Sequence, residues 1–102
     1  MIKLEIVSVR PLDKKKVYQF YNSDLGIKEY IKTNFKDTNK LIGVNTTISE
    51  DYTTETKVLI FKSQKDYDDF VNDEILQYQE NVIRFKYNKY HGITSTTKIT
   101  EI

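Results

Sequence analysis

Histidine occurs once in this chain, at position 91, and cysteine not at all. Those two facts remove most familiar side-chain chemistry. A multi-histidine metal site needs more than one subunit to assemble here. Thiolate nucleophiles, thiolate metal sites and disulfides are excluded outright. A single histidine beside a carboxylate can still act as a base, and at a helix end it complements the dipole. Arg84, Tyr87 and His91 are spaced by three and four residues, which puts them on one helix face. A guanidinium, a phenol and an imidazole arranged so can meet a polar or carboxylate head group. Asp66 and Asp69 lie one turn apart with Asp68 between them. The glycine-containing twelve-residue calcium loop is absent, so this trio reads as an acidic first helical turn. Gly26, Gly43 and Gly92 are isolated, which leaves no phosphate loop. The sequence therefore assigns no catalytic residue, no metal site and no cofactor.

Those residues need a frame, and the most informative piece of it is Lys57-Val58-Leu59-Ile60-Phe61-Lys62. Read as a strand, it carries Leu59 and Phe61 on one face, Val58 and Ile60 on the other. A small antiparallel sheet usually keeps one face wet. Two apolar faces imply that helices cover one and a partner or ligand covers the other.

The chain has 102 residues, which fits one domain, and a net charge of +1. A domain of this size buries about 65% of the surface its unfolded form exposes, enough to fold without staples. The charge gives no field favouring nucleic acid or an anionic membrane. No basic-then-apolar leader opens the sequence, and no apolar run nears the ~20 residues of a membrane helix. Absence of Cys suits a reducing compartment, so a cytoplasmic location is expected. Alanine is absent while Ile, Lys, Asn and Tyr abound, the codon bias of an AT-rich genome.

Alternation over 2–10 predicts a first strand, bulged near Val7 and ended by Pro11. Lys14, Lys15 and Lys16 read as a solvated loop, and residues 17–21 as an extended aromatic stretch. Asn22, Ser23 or Asp24 caps a helix whose stripe is Ile27, Tyr30, Ile31 and Phe35. A second strand over 41–50 puts Ile42, Val44 and Ile48 on one face. It turns at Asp51 into a third strand over 54–62. Ser63 and Asp66 form a capping box for the next helix. Asp73 caps a further segment carrying Ile75, Tyr78, Val82, Phe85 and Tyr90, which ends at Gly92. Residues 94–102 form a last strand. The order β-α-β-β-α-β predicts an α+β, ferredoxin-like fold. Its four-stranded antiparallel sheet carries helices on one face and has right-handed crossovers. RNA-recognition domains share this order, but they need aromatics on the first and third strands. Leu4, Ile6 and Val7 are not aromatic and Phe61 stands alone, so no nucleic-acid partner is expected.

The helix over 23–36, the hairpin at Asp51, the broken helix over 63–91 and the short last strand together resemble the dimeric α+β barrel superfamily. That group includes the antibiotic-biosynthesis monooxygenase-like proteins. Phe20-Tyr21, Lys28-Glu29-Tyr30-Ile31 with Thr33 and Asp37-Thr38, Ser49-Glu50-Asp51 and His91-Gly92-Ile93 are similar to small proteins of marine tailed phages and marine metagenomes with no established activity. The superfamily resemblance implies a homodimer whose sheets pack face to face, with a cavity between helices and sheet able to hold an apolar ligand. Its oxygenases use Asn, Trp and often His; this chain has the first and last of these and no Trp.

The resulting expectation is a homodimer that binds a small hydrophobic or amphipathic, fatty-acid-like molecule. Phe20, Ile31 and Phe35, with Ile60, Phe70, Tyr78 and Val82, are its expected lining. Arg84, Tyr87 and His91 are expected at the head group. A cofactor-independent monooxygenase or isomerase using the same pocket, and a phage-encoded interaction module, are the alternatives.

Overall fold

The computed structural model describes residues 1–12 and 20–102. The lysines at 14–16, and residues 17–19 of the aromatic stretch, lie outside the described residues. The elements are β1 (Ile2–Val9), α1 (Leu25–Ile31), β2 (Leu41–Ile48), β3 (Thr54–Phe61), α2 (Gln64–Val71), α3 (Glu74–Tyr78), α4 (Phe85–His91) and β4 (Thr94–Glu101). A π-helical turn, Lys32–Lys36, extends α1, and another, Gln79–Arg84, joins α3 to α4 without a break. The four strands form one sheet in the order β2-β3-β1-β4 with every neighbouring pair antiparallel. This α+β architecture is compatible with a ferredoxin-like fold. No helix among the described residues is long and apolar enough to cross a membrane.

The caps form where the short-range pattern places them. Asp24 accepts from the Ile27 amide at 2.9 Å and starts α1. Ser63 accepts from the Asp66 amide and donates to the Asp66 carboxylate, starting α2. Asp73 caps α3 through Oδ1 while its Oδ2 accepts from the Tyr30 hydroxyl at 2.6 Å, tying α1 to the start of α3. Gly92 ends α4 with φ +67°, a left-handed conformation that a side chain resists.

One face of the sheet carries the core. Ile2, Leu4 and Ile6 of β1 pair with Phe61, Leu59 and Lys57 of β3, so they share a face. Leu41, Phe35 and Leu76 complete the buried cluster. Phe35 meets Phe70, and Phe61 meets both Tyr67 and Phe70, at centroid distances of 5.0–5.5 Å. The opposite face presents Val7, Val58 and Ile60, half-buried among Thr47, Thr54, Thr56, Thr94 and Thr96.

Two local expectations are corrected. β1 pairs in unbroken register with both neighbours, so there is no bulge at Val7; the irregularity is in β2, between Leu41 and Gly43. The shift sets Leu41 on the same face as Val44 and Ile48, which pair with Leu59 and Glu55; Leu41 is buried, whereas Ile42, Val44 and Ile48 are exposed along this edge strand. The stripe expected on the last helix also faces outward. Ile75, Tyr78, Phe85 and Tyr90 are exposed, and Leu76 is the buried residue of α3. Ile75 and Tyr78 already face outward in α3, ahead of the π-helical turn at 79–84.

The β2–β3 hairpin is organised by Asp51. Its Oδ1 accepts from Ser49 Oγ at 2.7 Å, Thr53 Oγ1 at 2.7 Å and the Thr53 amide at 3.1 Å. Those bonds, Ser49 first, hold the carboxyl down at about 2. A depressed carboxyl stabilises the fold above its unfolded value of 3.8, and that contribution fades as pH falls through about 2. The Thr53 amide resonance is therefore expected to titrate with a midpoint near 2; a midpoint near 3.8 refutes the Asp51 turn.

Candidate functional site

The first polar group out of place is Ser8. It continues the Ile2, Leu4, Ile6 alternation, so β1 aims it at the helix side, where it is 2% exposed. Its row across the sheet is Glu55 of β3, Ser8 and Ser95 of β4. Glu55 is also buried. The Ser8 and Ser95 hydroxyls lie 2.8 Å apart. Arg84, at the end of the π-helical turn, reaches down to this row with its side chain only 12% exposed. Its Nη2 donates to Ser8 Oγ at 3.2 Å, and its Nη1 donates to both Glu80 oxygens at 3.1–3.2 Å. Arg84 and Glu80 are one turn apart, so the helix presets the ion pair.

An open cleft of about 390 Å³ lies between this helix and the start of β4. Arg84 and Ser95 line it with the amides Asn81 and Asn88 and the cation Lys89. Phe85 and Ile93 supply the apolar wall. The volume falls at the small end of the ~300–1,000 Å³ range of ligand pockets, and the mix of apolar wall and convergent polar groups is that of such sites. The cationic charge of Arg84 and Lys89 exceeds the single carboxylate of Glu80, so the cleft favours an anion.

A second cleft, of about 590 Å³, lies on the other side of the same helix. Ile27, Ile75, Tyr78 and Ile83 make it mainly apolar, with Asp24 and Glu74 at its rim. Tyr21 stands between helix and solvent, its ring 5.3 Å from that of Tyr87 and its hydroxyl accepting from Gln79. Burial, then the Asp24 charge, raises the Tyr21 phenol above its ordinary value.

The expected site residues are not brought to one place. Arg84 lines the first cleft and Tyr78 the second. Phe35 is buried in the aromatic core with Phe70 and Ile31 packed into it, so these rings fill space rather than enclose it. Ile60 points away from the helices and lies over Gly43, whose Cβ would come within 3.2 Å of it. It therefore lines no pocket between helices and sheet. Phe20 lies under the Arg10 guanidinium, 5.6 Å from its centroid. Val82 is half-buried and lines neither cleft. Tyr87 and His91 lie ring to ring at 4.4 Å, with Tyr90 against His91 at 4.9 Å, and neither Tyr87 nor His91 lines either of these two clefts.

The acidic trio is accounted for by local bonds. Asp66 belongs to the capping box, Asp68 accepts from Gln64, and Asp69 takes ammonium bonds from Lys40 and Lys65 at 3.2 Å. Those two lysines, Lys40 first, lower the Asp69 carboxyl. Among the described residues no group of three His, Asp or Glu side chains is placed to hold a metal ion.

Ser8, Glu80 and Ser95 are the partners that sequence reading did not single out. A signal for Ser8 was present, as a hydroxyl in register with three buried aliphatic residues. Nothing local joined it to Ser95 or Arg84, which lie 87 and 76 positions away. Set beside known proteins, the chain matches no protein-family model and no curated sequence.

Proposed function

We propose that the protein is a homodimer that binds a small amphipathic anion, a medium-chain carboxylate being the fitting class, in the cleft between the last helix and β4. The observation that carries this reading is Arg84. A guanidinium withdrawn almost entirely from water, yet opening on a cleft, retains capacity for a carboxylate. Glu80 and Ser8 occupy Nη1 and one proton of Nη2, and Nε has no partner among the described residues. Phe85 and Ile93 give the acyl chain an apolar surface.

The dimer reading rests on the open sheet face. Four strands of eight residues present about 500 Å² per subunit, from ~3.3 Å per residue and ~4.8 Å per strand. Two such faces bury about 1,000 Å², the lower bound for a specific interface. Val7, Val58 and Ile60 are its apolar residues, and Glu5 and Lys3, an ion pair at 3.7 Å, stand directly across from Val58 and Ile60. In this reading the sheets pair face to face and both ligand clefts stay outside, beneath the helices.

Native mass spectrometry of the purified chain tests the assembly, and an octanoate titration followed by amide chemical shifts tests the site. The expected result is a dimer mass and saturable shifts at Asn81, Asn88 and Ser95. Arg84→Met is expected to weaken octanoate at least about tenfold, the worth of a hydrogen bond to a charged group. Arg84→Lys, which keeps charge without the fork, is expected to recover part of it. A subunit mass with no octanoate shifts refutes the proposal.

A further inference from the structure

Burial of Ser8 settles which way the protons of the serine pair run. Arginine donates and has no lone pair to accept with, so Arg84 Nη2 must be the donor to Ser8 Oγ. The Ser8 hydroxyl proton then needs an acceptor. Ser8 is 2% exposed, and among the described residues its other hydroxyl neighbour is Ser95, at 2.8 Å. Were Ser95 the donor, Ser8 would accept twice and leave its own proton buried without a partner, which folded proteins avoid. Ser8 therefore donates to Ser95. Ser95 is exposed and lines the cleft, so its own O–H is released outward.

We infer that the chain Arg84–Ser8–Ser95 turns the Ser95 O–H outward as a hydrogen-bond donor which, with the charges of Arg84 and Lys89, selects ligands by head group: an anionic acceptor such as a carboxylate is taken, and ammonium heads are rejected. This rests on the ligand-binding reading above and deepens it. The positive charge at one end of the chain polarises both hydroxyls, which strengthens the outward donor. An alcohol can accept that bond but brings no charge to meet Arg84 and Lys89. An ammonium brings only donors and the wrong sign. Ser95 touches the ligand, whereas Ser8 acts through Ser95 and is a positioning residue.

Octanoate, octan-1-ol and octylamine share a chain and differ in head group, so amide-shift titrations of the full chain with each isolate the choice. Octanoate is expected to bind at least about tenfold more tightly than either of the others. Ser95→Ala is expected to weaken octanoate several-fold and octan-1-ol, whose bond from Ser95 carries no charge, by less, and to be rescued by Ser95→Thr. Ser8→Ala, which leaves Ser95 in place, is expected to weaken octanoate selectively too. A merely structural role for Ser8 moves all three ligands together. Octan-1-ol binding as tightly as octanoate, or Ser8→Ala leaving octanoate unchanged, overturns the donor chain while the ligand site stands. Failure of all three ligands to bind overturns the ligand reading and the donor chain with it.

Discussion

Phe61→Ala is expected to cost ~3–5 kcal/mol, the range for deleting a buried aromatic side chain. Phe61 is 0% exposed and is the largest fully buried side chain among the described residues. It is paired across the sheet with Ile2 and Leu41, and its ring packs against Tyr67 and Phe70 of α2. One deletion thus opens a void where three strands and a helix meet. Collapse into that void is opposed by β1 and β2, which are hydrogen-bonded on either side of β3. Domains of this size are stable by ~5–15 kcal/mol, so the variant retains little margin. Urea unfolding followed by circular dichroism checks it. Phe61→Leu, which keeps most of the volume, is expected to lose much less. A loss below about 1.5 kcal/mol for the alanine variant shows that Phe61 is not the keystone of this core.

Val7→Asp is expected to dissociate the proposed dimer by at least about a hundredfold while the subunit stays folded. Val7 lies on the face away from the helices, between Thr56 and Thr96, with no opposite charge directly across the sheet. In an isolated subunit an aspartate there reaches water. In a face-to-face dimer it is buried twice, once from each subunit, and an uncompensated buried charge costs ~3–5 kcal/mol. Sedimentation velocity across a concentration series reads the change, and circular dichroism verifies the fold. If the unaltered chain sediments as a single subunit at the highest concentration, the open face has another use and the dimer reading is lost.

Much of the fold was legible in the residues themselves because the relevant forces are local. Ser63 with Asp66, Asp73, and Gly92 mark helix ends, since caps satisfy backbone groups within three or four residues. Asp51 marks the hairpin for the same reason. The strands were legible by alternation, and their order with the helices was enough to predict the sheet. Leu59 and Phe61 were correctly separated from Val58 and Ile60.

The site was less legible. Arg84 could be picked out, since it sits on a helix face with Tyr87 and His91, but its partners could not. Phe35 and Phe70 were expected around a ligand and instead pack against each other, because nothing in the periodicity of one helix states how closely the next approaches. The outward stripe of Ile75, Tyr78, Phe85 and Tyr90 makes the same point: apolar spacing defines a face, and packing of the helix against the sheet then decides where that face points.

What the chain carries in its order of residues is thus the set of elements, their ends and the two sides of each strand, all governed by interactions a few residues long. Tertiary structure alone decided the slip at Leu41–Gly43, the outward facing of the last helix's apolar residues and the meeting of Ser8, Ser95 and Arg84. Those depend on how finished elements pack and on where a buried hydroxyl finds its partner, and neither quantity has a value until the sheet has closed against its helices.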